Sequence, residues 1–364
     1  MSMPTVHGAI RSTTPRTGPK TSVTSTYSAL LERVRDAGLL KKRPGFYITL
    51  FAVLVLATAA VIAISSLLGD SWFQLIVAGV LGVLLTQFAF IAHEASHRQI
   101  FATGTRNDRI GRILANAVVG MSYSWWMNKH SRHHANPNQV GKDPDIERDT
   151  VSFLEQDAAQ QSGFMGALTR RQGYFFFPLL IGEGVNLHVL SFRYLFSPQK
   201  RTGRAFELTL IAVRLAAYLA VVFWVFPLGM GFAFIGVQMA VFGVYMGASF
   251  APNHMGMPII AEGERLDFLN KQVRTSRNIR GRGMSAAMGG LNYQVEHHLF
   301  PSMSRPSLAR ASRMVQEHCA NLELAYTQTS LMQAYGTVVR YMNRVGLSAR
   351  DPFDCPMAGQ YRRP

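Results

Sequence analysis

Residues 44–92 read PGFYITLFAVLVLATAAVIAISSLLGDSWFQLIVAGVLGVLLTQFAFIA, and Asp70 is the only formally charged side chain among them. A helix needs about 20 mainly apolar residues to cross the hydrocarbon core of a bilayer, so this run is long enough for two crossings. LLGDSW supplies the turn, and spans are predicted over 46–68 and 72–92. A second run, from Ile211 to Phe250, carries Arg214 as its one charge and breaks at FPLGMG. It predicts a second hairpin, with spans over 208–227 and 230–250. The expected fold class is an all-α integral membrane protein: four transmembrane helices in two hairpins, with a cytoplasmic helical cap.

The chain has 37 Lys and Arg against 21 Asp and Glu, a net charge of +16. Eight of the basic residues precede the first hairpin, fourteen lie between the hairpins, fourteen follow the second, and the last is Arg214. Positive loops are retained on the cytoplasmic side, so both termini and the segment between the hairpins are expected inside. Arg214 can snorkel to the same interface along its own stem. No aromatic-basic module or finger spacing accompanies the charge, which argues against nucleic acid. Anionic head groups, an acidic electron donor or a phosphate-bearing substrate suit it better. Cys319 and Cys355 form no metal or redox spacing and are expected free and reduced. Residues 1–43 contain no apolar signal-peptide core, so the first span is expected to act as the insertion signal.

Residues 1–25, rich in Ser, Thr, Pro and Gly, are expected to form a disordered leader. Residues 26–43 place Leu30, Leu31, Val34 and Leu39 at helical spacing among basic residues, which predicts an amphipathic helix on the inner leaflet. The membrane domain would run over 44–301, with 302–364 a cytoplasmic helical region and tail. Between the hairpins, RILANAVVGMSYSWWM and YFFFPLLIGEGVNLHVLSFRYLF are apolar but interrupted by Pro, Gly and polar groups, so they are expected to be interfacial or half-buried helices.

Of eleven histidines, seven fall in three clusters and an eighth follows the last span. HEASH places His93 and His97 on one helix face, in a spacing that also satisfies the HExxH pattern of zinc peptidases. HSRHH supplies His130, His133 and His134; QVEHH supplies Gln294, His297 and His298 at the same offsets; His254 stands in APNHMG. The topology brings all four groups to the cytoplasmic face. His7, His188 and His318 are expected to be ordinary interfacial or hydrogen-bonding residues. Imidazole ligands suit zinc, copper, iron and nickel, and one catalytic zinc takes only three protein ligands. Eight histidines exceed that requirement and fit a dinuclear centre; iron is the redox-capable choice that gives a reason to build one.

These boxes resemble those of the membrane-bound fatty acid desaturases and related hydroxylases, whose pattern is HxxxH, HxxHH and HxxHH or QxxHH. The resemblance spans roughly residues 46–301 and includes HRQIF, NPNQVGKDPDI, EGVNLH and HHLFP around the boxes. It is similar to the front-end and bacterial acyl-chain members, in which a Gln opens the third box. The resemblance implies two iron ions held by His93, His97, His130, His133, His134, His254, His297 and His298, with no catalytic residue beyond the metal centre. It implies O2 as co-substrate, a long acyl chain on CoA or a lipid, and a cis double bond as product. Gln294 would be a weak or indirect ligand, and Asn253 stands near where some relatives place a water-bridging Asn. Glu94, Glu296, Asp143 and Asp145 are candidates to accept the outer imidazole N–H groups. The HPGG haem motif of fused cytochrome b5 domains does not occur in the sequence, so electrons are expected from a separate donor such as a ferredoxin and its reductase. The expected location is a bacterial cell membrane with the active site cytoplasmic.

Candidate substrate contacts are Trp125 and Trp126, which either line an acyl tunnel or form an interfacial belt, Glu183 and Asn186 as polar groups in an apolar stretch, and Arg98 and Gln99 after the first box. Acyl hydroxylation is the nearest alternative, since it needs the same iron pair. An intramembrane zinc protease with Glu94 as base is more distant: it lacks a later acidic LDG-type motif and leaves six further histidines of the set without a role. A metal transporter would place its polar groups at mid-membrane rather than at one face.

Overall fold

The computed structural model describes residues 23–199 and 202–349. The expectations for residues 1–22, His7, Cys355 and the tail from 350 onward fall outside that range.

Helix α1 (Val23–Asp36) precedes the first hairpin, which is α2 (Pro44–Leu68) and α3 (Gln74–Ser96). Pro44 opens α2 at a position where its missing N–H costs no helical bond. Gly69 closes α2 with φ 58, and the buried Gln74 amide donates to the Ser65 and Gly69 carbonyls, both at 2.8 Å, fixing the turn. α4 (Gly104–Arg112) runs into a π-helical stretch, Ile113–Val119, and α5 (Tyr123–Ala135) follows. Ser122 caps α5 by accepting from the Trp125 N–H.

Short helices α6 (Glu155–Ala159) and α7 (Gly163–Thr169) lead to α8 (Gln172–Leu179), a single 3-10 turn and α9 (Glu183–Phe196). The second hairpin is α10 (Arg204–Val225) and α11 (Leu228–His254). Beyond it come α12 (Phe268–Thr275), β1 (Arg277–Arg280), α13 (Met284–Ala287), α14 (Gln294–Leu299), α15 (Arg305–Asn321), β2 (Thr327–Ser330) and α16 (Leu331–Leu347).

α2 with α3, and α10 with α11, are each two long apolar helices joined by a short turn, and the helices continue past the apolar runs. α3 carries His93 inside its last turn, and α11 reaches His254 itself. Hydropathy marks only the part of a helix that meets lipid, so it ends before the helix does where the protein covers the rest. Among the described residues five helices, not four, are long and apolar enough to cross a membrane; the fifth, Gln172–Phe196, combines α8, the 3-10 turn and α9. Its interruptions at Pro178 and Gly182 do not break the rod. The all-α expectation also misses one parallel strand pair, β1 with β2, from Arg277 opposite Thr327 to Arg280 opposite Ser330.

The helices around the site differ in what covers them. Most side chains of α2 and α10 are exposed, as lipid-facing helices require, whereas over half of the apolar window of α3 is buried. α3 and α11 cross at Gly82, where a Cβ would lie 2.7 Å from the Gln238 carbonyl oxygen. α9 meets α11 through Gly184 and Gly243: a Cβ on Gly243 would lie 2.3 Å from the Gly184 nitrogen. Backbone cannot move aside as a side chain can, so Gly243→Ala is expected to destabilise the protein by about 1–3 kcal/mol. The check is a lower thermal midpoint of the purified variant; an unchanged midpoint would show that α9 is not held against α11 in this way.

The amphipathic face of α1 does not meet lipid. Leu30 and Val34 are fully buried in a cluster with Leu269 and Val273 of α12 and Val315 of α15. An apolar stripe at helical spacing demands an apolar partner without naming it, and here the partner is protein.

Candidate metal centre

The end of α3, the C-terminal half of α5, the last residue of α11 and the whole of α14 converge at one end of the bundle. Ring nitrogens of His93, His97, His130, His134 and His297 lie within 4.8 Å of one another, and those of His133, His254 and His298 form a second such group. His130 Nε2 stands 2.9 Å from His93 Nε2 and 2.8 Å from His97 Nε2. His133 Nε2 and His254 Nε2 are 3.3 Å apart, and the rings of His134 and His298 stack at 4.1 Å. All eight sequence candidates are therefore brought together, although they come from positions up to two hundred residues apart.

The protonation of these rings follows from their surroundings. Burial holds His130, His134, His297 and His298 well below the usual imidazole pKa, and neighbouring rings add repulsion. Burial likewise lowers His97 to about 3. Neutral rings are the ligand form. His133 goes the other way: burial opposes its charge, but the Asp145 and Asp143 carboxylates outweigh that and raise it.

A neutral imidazole has one donor and one lone pair, so the crowded nitrogens cannot all satisfy each other. Both nitrogens of His134 and Nε2 of His297 and His298 are buried without a hydrogen-bond partner. Buried orphaned lone pairs facing one another cost free energy unless something electropositive sits among them. The donor set thus fits two metal ions of the kind that nitrogen ligands favour.

The outer nitrogens find partners that the spacing partly indicated. Asp143 is fully buried and accepts from His133 Nδ1 at 3.0 Å, while the backbone N–H groups of Asn138 and Asp145 donate to it at 2.7 and 2.9 Å. Asp145 lies 3.3 Å from the same ring nitrogen and 2.5 Å from Lys129 Nζ. Asp143→Asn would keep the shape while weakening the acceptor for His133 Nδ1–H. It is expected to lower metal affinity by about 10–100-fold. Metal retention during stepwise chelator titration measures this, and retention equal to wild type would refute the role.

Other partners carry no signal in the sequence. His254 Nδ1 donates to the Thr275 carbonyl at 2.9 Å and His298 Nδ1 to Gln272 Oε1 at 2.8 Å. Gln272 and Thr275 sit on α12, a helix without a box. Gln294 Nε2 is 2.8 Å from His254 Nε2, and Gln294 Oε1 accepts from Asn253 Nδ2 at 3.1 Å. The glutamine thus faces the three-histidine group, with Asn253 behind it.

Two acids inside the boxes do not orient histidines. Glu94 is buried and forms a bidentate pair with Arg305, with Nε at 2.8 Å, and Tyr47 Oη donates to it at 3.0 Å. Glu296 accepts from Asn278 Nδ2 at 2.7 Å and Tyr326 Oη at 2.8 Å, and burial raises its carboxyl to about 7. In both cases the helix turns the acid to the face opposite its histidine neighbours. Glu94 is paired with Arg305 and belongs to neither histidine group, so it is not placed as the water-activating base that the protease alternative requires.

The substrate candidates also separate. Trp126 stacks on His130 at 4.6 Å and lines a narrow apolar cavity together with Phe90, His93, Val119, Met246 and Phe250. Trp125 is buried in the core, so neither indole forms an interfacial belt. Gln99 is 2% exposed and bridges Tyr47 and the Pro301 carbonyl, a scaffold role. Arg98 is exposed with φ 57, and Glu183 bonds Asn186 at 3.1 Å on α9; none of the three lines the cavity. His188 bonds the Gly184 carbonyl at 2.7 Å within its own helix, an ordinary structural histidine, and His318 lies on α15, away from both histidine groups. Cys319 is buried and free, with burial raising its thiol to about 12.

A bundle of long apolar helices that gathers eight imidazoles at one end defines a multi-pass membrane protein with a metal-binding centre. Residues 70–330 match the family described as fatty acid desaturase, and the chain belongs to that family. It is 27% identical over 351 residues to a Delta(8)-fatty-acid desaturase of Helianthus annuus, covering 89% of this chain and 74% of the relative. It is 27% identical over 354 residues to Delta(8)-fatty-acid desaturase 2 of Arabidopsis thaliana, covering 90% and 76%. An acyl-lipid (9-3)-desaturase of Physcomitrium patens is 26% identical over 319 residues, covering 83% and 60%. The protein is a fatty acid desaturase, an oxidoreductase. The relatives come from plants.

Proposed function

We propose that the eight histidines hold two iron ions and that the protein forms a cis double bond in a long acyl chain lying in the cavity beside His93 and Trp126. Two adjacent C–H bonds break, a C=C bond forms, and O2 takes the two hydrogens together with two electrons and two protons to give two waters. Bound iron would supply the one-electron chemistry that activates dioxygen and removes hydrogen from an unactivated methylene. The chain's own residues fix the geometry: Asp143, Gln272 and the Thr275 carbonyl each hold one imidazole by its outer nitrogen. The apolar cavity walls bind and straighten the acyl chain and exclude water.

The observation that carries this reading is the contact between the two features. His93 belongs to the five-histidine group and lines the apolar cavity, so a chain in that cavity passes the metal centre. The four spans α2, α3, α10 and α11 would place the centre at the cytoplasmic face, with both termini inside, as the basic loops favour. That basic face would steer an acidic iron–sulfur donor such as a ferredoxin. The acyl carrier is CoA or a membrane lipid.

Expression in a lipid-producing host, with gas chromatography of total fatty acids and metal analysis of the purified protein, tests the reading. A new unsaturated acid and two irons per chain are expected. One zinc per chain with unchanged lipids would overturn it, and a hydroxy acid would redirect it to hydroxylation. Trp126→Ala removes a cavity wall beside His130 and is expected to yield more than one double-bond isomer. A single isomer at wild-type yield would mean that Trp126 does not position the chain.

A further inference from the structure

An open groove with a volume of about 560 Å³ lies between the turn into α2 and the first turns of α15. Lys42, Arg43 and Phe46 line one side, and Pro306, Ser307 and Arg310 the other; no carboxylate lines it. Among the described residues neither Arg43 nor Arg310 enters an ion pair. Lys42 gives one N–H to the Ser302 carbonyl at 2.7 Å and keeps two. Ser307, a residue only 4% exposed, lines the groove, and among the described residues its hydroxyl enters no hydrogen bond. The groove therefore gathers three cations and a hydroxyl, with no carboxylate in its lining to balance them. It also faces the N-terminus of a 17-residue helix, the positive end of its dipole.

The location narrows the ligand. Pro44 begins α2, and Ile48 and Leu56 on that helix are 61% and 69% exposed, as side chains against lipid are. The groove thus sits where a lipid-facing helix meets the polar boundary, the level of membrane phosphates. Arginine forks and a hydroxyl match the several oxygens of a phosphate better than a single carboxylate. None of the groove residues lines the cavity beside His93, so the two openings are separate.

We propose that this groove binds the phosphate of an anionic amphiphile at the membrane surface, with its apolar part lying along α2. The same phosphate chemistry is offered by an anionic phospholipid and by coenzyme A, and the two are separable. Occupancy would hold the start of α15, where Arg305 reaches the Glu94 carboxylate. It does not depend on which acyl substrate the cavity takes.

The test uses the full chain in nanodiscs of phosphatidylcholine, with or without phosphatidylglycerol, and with or without added coenzyme A. A ligand that binds only the folded state raises the thermal midpoint. Phosphatidylglycerol is expected to raise it for the wild type and not for Arg43→Gln/Arg310→Gln. The control Arg170→Gln/Arg171→Gln removes the same charge elsewhere and is expected to keep the shift. A shift with coenzyme A alone, lost in the groove variant, supports the site and gives it to a soluble carrier. An equal loss in the control assigns the effect to bulk charge and overturns the proposal, as does the absence of any groove-dependent shift with either ligand. If the double variant fails to fold, Arg310→Gln alone, at an exposed helix position, gives the same comparison.

Discussion

His134→Ala is expected to reduce desaturation to the host background and to lower the iron content of the purified protein. Its ring is the one that joins the two histidine groups. It belongs to the five-histidine set, stacks on His298 of the three-histidine set at 4.1 Å, and has both nitrogens buried without a hydrogen-bond partner. Ordinary structural histidines do not leave both nitrogens orphaned, because burial without a partner costs about 1–3 kcal/mol per group. Alanine removes that cost, so the apoprotein should unfold no earlier than wild type, and the loss of product should follow the loss of metal. Gas chromatography, metal analysis and a thermal melt of the metal-free protein separate these outcomes. Full activity in His134→Ala would sink the di-iron assignment, whereas a collapsed apoprotein melt would mean that the ring is structural.

Arg305→Met carries the largest expected cost in stability. The guanidinium is buried, pairs bidentately with Glu94, and its backbone N–H donates to Tyr47 Oη at 3.0 Å. One cluster thus ties the start of α2, the end of α3 and the start of α15. The Glu94 charge keeps Arg305 ionised against the pull of burial. Removing one partner of a buried pair leaves an uncompensated charge, at a cost of about 3–5 kcal/mol. Adding Glu94→Gln should recover a large part of it, since a neutral amide can stay on the Tyr47 hydroxyl. Midpoints of the two single variants and the double variant form a cycle. Additive losses would mean that Glu94 and Arg305 act independently, contrary to the geometry. Because α3 bears His93 and ends at its cap His97, the single variant should also lose iron more readily, and the double variant should regain it.

The boxes were legible because each is local. Offsets of three and four residues put imidazoles on one helix face, so HEASH, HSRHH and QVEHH declare themselves without any knowledge of the fold. Asp143 was legible for a similar reason, being ten residues from His133 in a short loop. Glu94 and Glu296 were misjudged for the converse reason. Adjacency in sequence suggested contact with the neighbouring histidine, but successive residues on a helix point about 100° apart and reach different partners. Gln272, Thr275 and Arg305 had no local signal, because each meets the centre only after α12 and α15 fold over it.

Composition and periodicity alone settle that the chain carries apolar hairpins, that nearly all of its charge lies outside them, and that histidines in three helical groups are available for metal. Those are properties of single segments, set by the length of a bilayer crossing and the pitch of a helix. Which nitrogens share a group, which acids face a ring, that α1 packs on protein rather than lipid, and that the cavity opens beside His93 belong to the fold. They depend on contacts between residues far apart in the chain, where the balance of burial, charge pairing and hydrogen bonding exists only once the helices have packed.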